Sequence, residues 1–106
     1  MDQFEPLVQL LDSNGSIVEN SQYQSTLDDA ALLGFYRDMV LIRQLDVQAT
    51  ALQRQGELGL WAPLLGQEAA QIGSGRALER QDYAFTTYRE HGVAWCRGVD
   101  PVDMLR

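Results

Sequence analysis

Apolar residues recur at steps of three and four along the middle of the chain. Leu32, Phe35, Met39, Ile42, Leu45, Ala49 and Leu52 fall on one side of a helix. The spacing predicts an amphipathic helix over 27–55, with Ser25 or Thr26 accepting from its free backbone N–H groups. Asp28 and Asp29 complement the positive end of its dipole. Gly56 is a natural stop, and Gly34 is a weak point within the run. About 29 helical residues span roughly 43 Å at 1.5 Å per residue, more than the diameter expected of so small a globule.

Shorter elements flank this helix. Pro6, Leu7, Val8, Gln9, Leu10 and Leu11 on one side and Ser16, Ile17 and Val18 on the other bracket Asp12-Ser13-Asn14-Gly15. Asn-Gly between apolar runs predicts a β-hairpin, because both residues tolerate positive φ. A lone hairpin is marginal in water and needs a surface to pack on. Residues 1–24 thus read as a hairpin leader ending in a polar connector over 19–24, and 25–106 as the body.

Beyond the long helix, 58–61 is too short and glycine-rich to be more than an extended connector. Residues 66–78 read as a second helix whose Ala69, Ala70, Gly73, Ser74, Gly75 and Ala77 permit close backbone approach. A short strand is expected over 82–87. Asp100-Pro101 then opens a third helix, with Asp at the N-cap and Pro in the first position. It has one turn before Arg106. A helix needs more than that to recover its nucleation cost, so the expectation is the front of a larger protein, mostly helical in this region.

Composition narrows the choice of partners. The 106 residues carry eight Arg and no Lys against fifteen Asp plus Glu, for a net charge of −7. Without a basic tract, nucleic acid and anionic membrane surfaces are poor partners. A hydrophobic content of 45% argues against wholesale disorder. Cys96 is alone, which leaves neither an intramolecular disulfide nor a cysteine-rich metal site. The opening Met-Asp-Gln-Phe-Glu-Pro lacks the basic start and apolar run of a signal peptide. No stretch approaches the roughly 18 apolar residues of a membrane span. The expectation is a soluble, cytoplasmic protein.

Candidate chemistry gathers at Tyr88-Arg89-Glu90-His91-Gly92, after the expected strand, where open α/β proteins place ligands. Arg89 offers a planar five-donor fork suited to phosphate or carboxylate, Tyr88 a hydroxyl, and Gly92 close backbone approach. His91 is the only histidine and suits proton transfer or hydrogen bonding. The alternative is a solvated loop in which Arg89 pairs with Glu90 or a helix end. Gly66-Gln67-Glu68-Ala69 opens the second helix, whose start suits an anion; Glu68 there equally serves only to complement the dipole. Gly73-Ser74-Gly75 lacks the third Gly of a dinucleotide fingerprint. Trp61 and Trp95 line a pocket or, as the default, pack in the core. Cys96 has no partner base that would make it a nucleophile.

Three stretches together resemble one family. They are Arg54-Gln55-Gly56-Glu57-Leu58-Gly59-Leu60-Trp61-Ala62-Pro63, Gly66-Gln67-Glu68-Ala69-Ala70-Gln71-Ile72-Gly73 and Tyr88-Arg89-Glu90-His91-Gly92. Tyr36-Arg37-Asp38-Met39 with Ile42-Arg43 fits as well. The set is similar to the N-terminal part of the alpha subunit of thiamine-diphosphate-dependent 2-oxo acid dehydrogenases, over about 27–106. The resemblance implies an α/β thiamine-diphosphate-binding fold, mostly helical in the region present. It implies a cofactor site in which Arg89 meets the diphosphate with Tyr88 beside it. Thr87 stands where branched-chain relatives carry a cofactor-contacting Gln. Ala62 stands where some pyruvate members carry a substrate-side His, so that contact is absent here. Glu68 is implied to be structural support.

The resemblance also implies Mg2+, bound through a Gly-Asp-Gly motif and an Asn later than Arg106. A beta subunit supplies the Glu that activates the cofactor in an alpha₂beta₂ assembly, and a lipoyl-bearing acyltransferase receives the acyl group. The implied activity is oxidative decarboxylation of a 2-oxo acid with reductive acylation of the lipoyl group. Pyruvate is the first substrate expected, and a branched-chain 2-oxo acid the second. This region alone is expected to be inactive, with no catalytic residue or metal ligand of its own. A non-enzymatic helical interaction module, pairing its apolar helix with a partner, is the remaining alternative.

Overall fold

The computed structural model describes residues 7–19 and 22–106. The opening Met1 to Pro6, including the Pro6 end of the first hairpin arm, and Asn20 and Ser21 of the polar connector lie outside the described residues. Four helices follow in order: α1 (Asp29–Arg54), α2 (Glu68–Ala77), α3 (His91–Cys96) and α4 (Pro101–Met104).

Helix α1 starts two residues later than expected. Its N-cap is Asp28, whose Oδ1 accepts from the Ala31 N–H at 2.8 Å, and Asp29 occupies the first turn. Ser25 instead closes a local turn, its Oγ accepting from the Leu27 N–H at 3.2 Å. Asp wins the position because its charge adds a dipole interaction to the cap bond. The C-terminal end closes as a Schellman motif. The Glu57 N–H reaches the Leu52 carbonyl at 3.0 Å and the Gly56 N–H that of Gln53 at 3.1 Å, with Gly56 at φ +78°.

The apolar stripe faces inward as its spacing requires. Ile42 meets Leu64 and Ile72 at the centre of the core, and Phe35, Met39, Leu45, Trp95 and Cys96 pack around them. Leu32 departs from the pattern and stays exposed, because α2 reaches α1 no further than Arg76 opposite Gly34. Gly34 is also more than a weak point. A Cβ there would lie 2.9 Å from the Arg76 guanidinium, which sits over the Phe35 ring and pairs with Asp38 at 2.6 Å. Asp38 further accepts from the Trp95 indole N–H at 3.2 Å, so one carboxylate ties α1 to both α2 and α3.

Helices α2 and α3 touch through glycines. A Cβ on Gly75 would fall 2.9 Å from Cys96 Cβ, and one on Gly92 would fall 2.8 Å from Gln71 Cβ. The small-residue helix thus serves close packing, at the intrinsic cost glycine carries in a helix. After α2, Arg97 organises the turn: its guanidinium donates to the Glu79 carbonyl at 2.8 Å and the Asp82 carbonyl at 2.6 Å.

The expected hairpin is present in minimal form, with the Asp12 N–H on the Ser16 carbonyl and the Val18 N–H on the Leu10 carbonyl, each at 2.9 Å, whereas the expected strand needs correction. The Asn-Gly turn forms a single antiparallel bridge, Leu11 to Ile17, and only Gly15 takes positive φ (+80°). Asp12 Oδ1 accepts from the N–H groups of Asn14 and Ser16, at 2.8 and 2.9 Å, which builds a wider loop than a two-residue turn. Leu7, Leu11 and Ile17 remain exposed. Residues 82–87 form no strand, and Tyr83 and Phe85 face solvent. A strand exists only by pairing, and the described residues offer this segment no partner. The described region is therefore helical, with no strand element of the expected α/β sheet. The third expected helix is present as α4, capped by Asp100, whose Oδ1 accepts from the Val102 N–H at 2.8 Å.

Candidate functional site

A carboxylate on the buried side of α1 organises the site. Asp46 is only 3% exposed, and its Oδ1 accepts two hydrogen bonds at 2.9 Å, from the Trp61 indole N–H and from the Leu64 backbone N–H. Both bonds reach the loop between α1 and α2, one at each end of Trp61-Ala62-Pro63-Leu64. An isolated buried carboxylate is costly, and these donors offset that cost. The Trp61 ring stacks on His91 at the start of α3, with centroids 4.0 Å apart and planes 13° from parallel.

His91 Nε2 is buried without a hydrogen-bond partner. Burial pushes the His91 pKa below its ordinary value, opposed by a backbone contact with Ala62 and by the Asp46 and Glu90 charges. The imidazole therefore favours its neutral form at pH 7, with one ring face on Trp61.

The Tyr88-Arg89 loop enters α3 through Glu90, whose φ of −83° and ψ of 56° make an inverse γ-turn with the His91 N–H on the Arg89 carbonyl at 2.9 Å. Glu90 Oε2 accepts from the Thr87 N–H at 2.5 Å and the Thr87 hydroxyl at 2.6 Å, which holds the Glu90 carboxyl below the usual range. Gln71 of α2 clamps the same backbone. Its Nε2 donates to the Arg89 carbonyl at 3.1 Å, and its Oε1 accepts from the Gly92 N–H at 2.9 Å.

Arg89 does not pair with Glu90. Its guanidinium donates to the Pro63 carbonyl and lies 5.5 Å from the Tyr88 ring centroid. Tyr88 is 75% exposed. At the other end of the loop Glu68 is buried. It accepts from Arg43 Nε at 2.8 Å and from the Gly66 N–H at 2.9 Å, and the Arg43 hydrogen bond lowers its pKa most. Glu68 thus latches the start of α2 to α1 instead of facing a ligand.

The structure therefore brings Ala62, half-buried on the Trp61–Leu64 loop, together with Thr87, Tyr88 and Arg89. The two segments meet through Arg89 on Pro63 and His91 on Trp61. What the arrangement offers is a held cation with a phenol beside it at the surface. Proton transfer has no obvious agent. Burial raises the pKa of the Cys96 thiol, with the nearby Asp38 adding to the effect. No group of His, Cys, Asp and Glu among the described residues is arranged to hold a metal ion, and none of the described helices is long and apolar enough to cross a membrane. Sequence reasoning assigned no role to Asp46, and quoted Asp38 only within the Tyr36–Met39 stretch. The signal was present: both carboxylates lie on the stripe of Ile42 and Ala49, where a polar residue demands a partner.

Comparison with known proteins bears on this geometry. The family described as "Dehydrogenase E1 component" matches residues 36–106. The 3-methyl-2-oxobutanoate dehydrogenase subunit alpha of Mycobacterium tuberculosis (strain ATCC 25618 / H37Rv) is 43% identical over 94 residues, covering 89% of this chain and 26% of that protein. The pyruvate dehydrogenase E1 component subunit alpha of Staphylococcus aureus (strain N315) is 44% identical over 84 residues, covering 79% and 22% respectively. The chain thus spans about a quarter of the length of the curated relatives it matches.

Proposed function

The chain belongs to the dehydrogenase E1 component family, and from that premise we propose that it forms part of the alpha subunit of a thiamine-diphosphate-dependent 2-oxo acid dehydrogenase. The observation that carries the reading is Arg89. Its guanidinium is steadied by one donor on the Pro63 carbonyl, and its remaining N–H groups are left for an anion. A diphosphate is the anion that a planar multi-donor cation suits. The Tyr88 hydroxyl stands beside it on the solvent side.

The donor set fits one end of the cofactor. Arg89 and Tyr88 would hold the diphosphate. The Thr87 hydroxyl already donates its hydrogen bond to Glu90, so a cofactor contact there uses its oxygen as acceptor or frees Glu90. Ala62 lies on the substrate side and offers a methyl group where a hydrogen bond is otherwise possible. Bound thiamine diphosphate supplies the electron sink for loss of CO₂ from a 2-oxo acid. Arg89 contributes binding and orientation to that chemistry. Mg2+ accompanies the diphosphate with ligands from outside this region, and 82–87 acquires a strand partner in the complete α/β fold. A beta subunit and a lipoyl-bearing acyltransferase complete the reaction, which reductively acylates the lipoyl group.

Pyruvate is the first substrate proposed. A branched-chain 2-oxo acid is the second reading, favoured by the 3-methyl-2-oxobutanoate dehydrogenase relative that covers more of the chain. The full alpha subunit, assembled with its beta subunit, should release CO₂ from 1-labelled pyruvate faster than from 3-methyl-2-oxobutanoate, and only with thiamine diphosphate. The reverse order selects the second reading. No cofactor-dependent release from either acid would refute both.

A further inference from the structure

We infer that Asp46, on α1, is a positioning residue for Arg89, acting through the loop that its single oxygen holds at both ends. The inference rests on the reading of Arg89 as a diphosphate ligand. Asp46 makes no hydrogen bond with Arg89 itself. Its Oδ1 accepts from the Trp61 indole and from the Leu64 N–H, each at 2.9 Å. Between those anchors lies the Pro63 carbonyl, the acceptor of the Arg89 guanidinium.

The Pro63 carbonyl shares its planar peptide unit with the Leu64 N–H, so the bond from that N–H to Asp46 Oδ1 fixes the direction of the carbonyl as well. Its direction is set by the loop, and the loop is set by Asp46. The second anchor also reaches the Arg89 segment, because the Trp61 ring it orients stacks on His91 at 4.0 Å. A backbone hydrogen bond with Ala62 ties the His91 imidazole to the same loop, so the stack and that bond act together.

The backbone of Arg89 is held separately, by Gln71 Nε2 on its carbonyl at 3.1 Å. Control of the residue is divided accordingly. Gln71 on α2 places the main chain, and Asp46 on α1 aims the guanidinium. A long side chain whose head is pre-aimed loses less rotamer freedom when it meets an anion. Because both loop bonds fall on one oxygen, an amide carbonyl at position 46 can accept them as well. The role is that of an acceptor and does not need the negative charge.

The test is the dissociation constant of thiamine diphosphate for the assembled alpha–beta enzyme, by titration calorimetry. It compares Arg89→Ala, Asp46→Leu, their combination and Asp46→Asn. Losing a charge-assisted contact in Arg89→Ala should weaken binding about 100-fold. Asp46→Leu keeps the branched shape and removes the acceptor, and should weaken binding about 10-fold. The double variant should be no weaker than about 100-fold, because an aiming residue is worthless once its target is gone. Asp46→Asn should restore binding to within about twofold of wild type.

Unchanged binding in Arg89→Ala would overturn the diphosphate reading itself. Weak binding in Arg89→Ala together with multiplicative losses, about 1,000-fold in the double variant, would leave that reading standing and overturn the inference. Tighter binding in Asp46→Leu would do the same, making the Pro63 carbonyl a competitor for Arg89 instead of a guide. Should Asp46→Leu fail to assemble, Trp61→Phe takes its place in the cycle. It deletes one donor to Asp46 and is expected to weaken binding about threefold, again without further loss on Arg89→Ala.

Discussion

Replacing Gln71 with Met should loosen α3 while leaving α1 intact. Helix α3 has six residues and no side-chain cap from its own N-cap residue, Glu90. Its second N–H, from Gly92, is instead satisfied by Gln71 Oε1 at 2.9 Å, a cap reaching in from α2. The same amide donates to the Arg89 carbonyl at 3.1 Å. Met preserves shape and volume at a position only 4% exposed but can do neither. The buried Gly92 N–H then costs about 1–3 kcal/mol, and the half-buried Arg89 carbonyl about 0.5–1.5 kcal/mol. A total of about 1.5–4.5 kcal/mol corresponds to about a 10- to 2,000-fold larger open population of so short a helix. Hydrogen exchange by mass spectrometry on the full chain reads this directly in peptides spanning 89–97, with peptides spanning 42–49 as the internal reference. Protection over 89–97 within twofold of wild type would refute the cap.

Two glycine substitutions should behave oppositely. Gly75→Ala puts a Cβ 2.9 Å from Cys96 Cβ and 3.3 Å from Val93 Cα, a backbone-level clash worth about 1–3 kcal/mol and a lower thermal midpoint. Gly34→Ala meets only the movable tip of Arg76, and a helix-propensity gain of about 1 kcal/mol offsets the displaced Asp38 pair, for a net change of about 0.5 kcal/mol or less. Equal losses in the two would contradict the contacts described. Glu68→Gln should cost about 1 kcal/mol at neutral pH by weakening the Arg43 bond. The Glu68 carboxyl titrates below its ordinary 4.5 in the folded chain, so its contribution is present above that pH and is lost as pH falls through the folded value. Urea midpoints of wild type and variant should therefore converge in acid, and a gap undiminished near pH 3 would count against the pair.

What could be read from the sequence was local. The 3.6-residue period placed α1 and most of its buried face, and Gly56 marked its end because a Schellman motif is written within six residues. Its start was displaced because Ser25, Thr26 and Asp28 compete within one turn, and the choice turned on charge. Asp82 to Thr87 has the aromatic and β-branched composition of a strand, yet composition cannot supply the neighbour a ladder needs. The Tyr88-Arg89 pair was found through the resemblance. Its tie to Pro63 crosses 26 residues and has no local trace.

Asp38 and Asp46 are the instructive omissions. Both lie within the arc of α1 that holds Phe35, Ile42 and Ala49, and a carboxylate there must find donors or remain in water. The same sequence contains two tryptophans, and a buried indole needs an acceptor for its N–H. Two acceptors on one helix face and two donors elsewhere make a closed inventory. The structure pairs them as Trp61 with Asp46 and Trp95 with Asp38. Each pair locks a different segment against α1, the inter-helix loop in one case and α3 in the other. Arg89 lies where those two segments meet, its side chain on the loop and its backbone two residues before α3 begins. The cation is thus located by α1 without touching it. A sequence can announce that such carboxylates will be used, but the assignment of donors belongs to the tertiary structure.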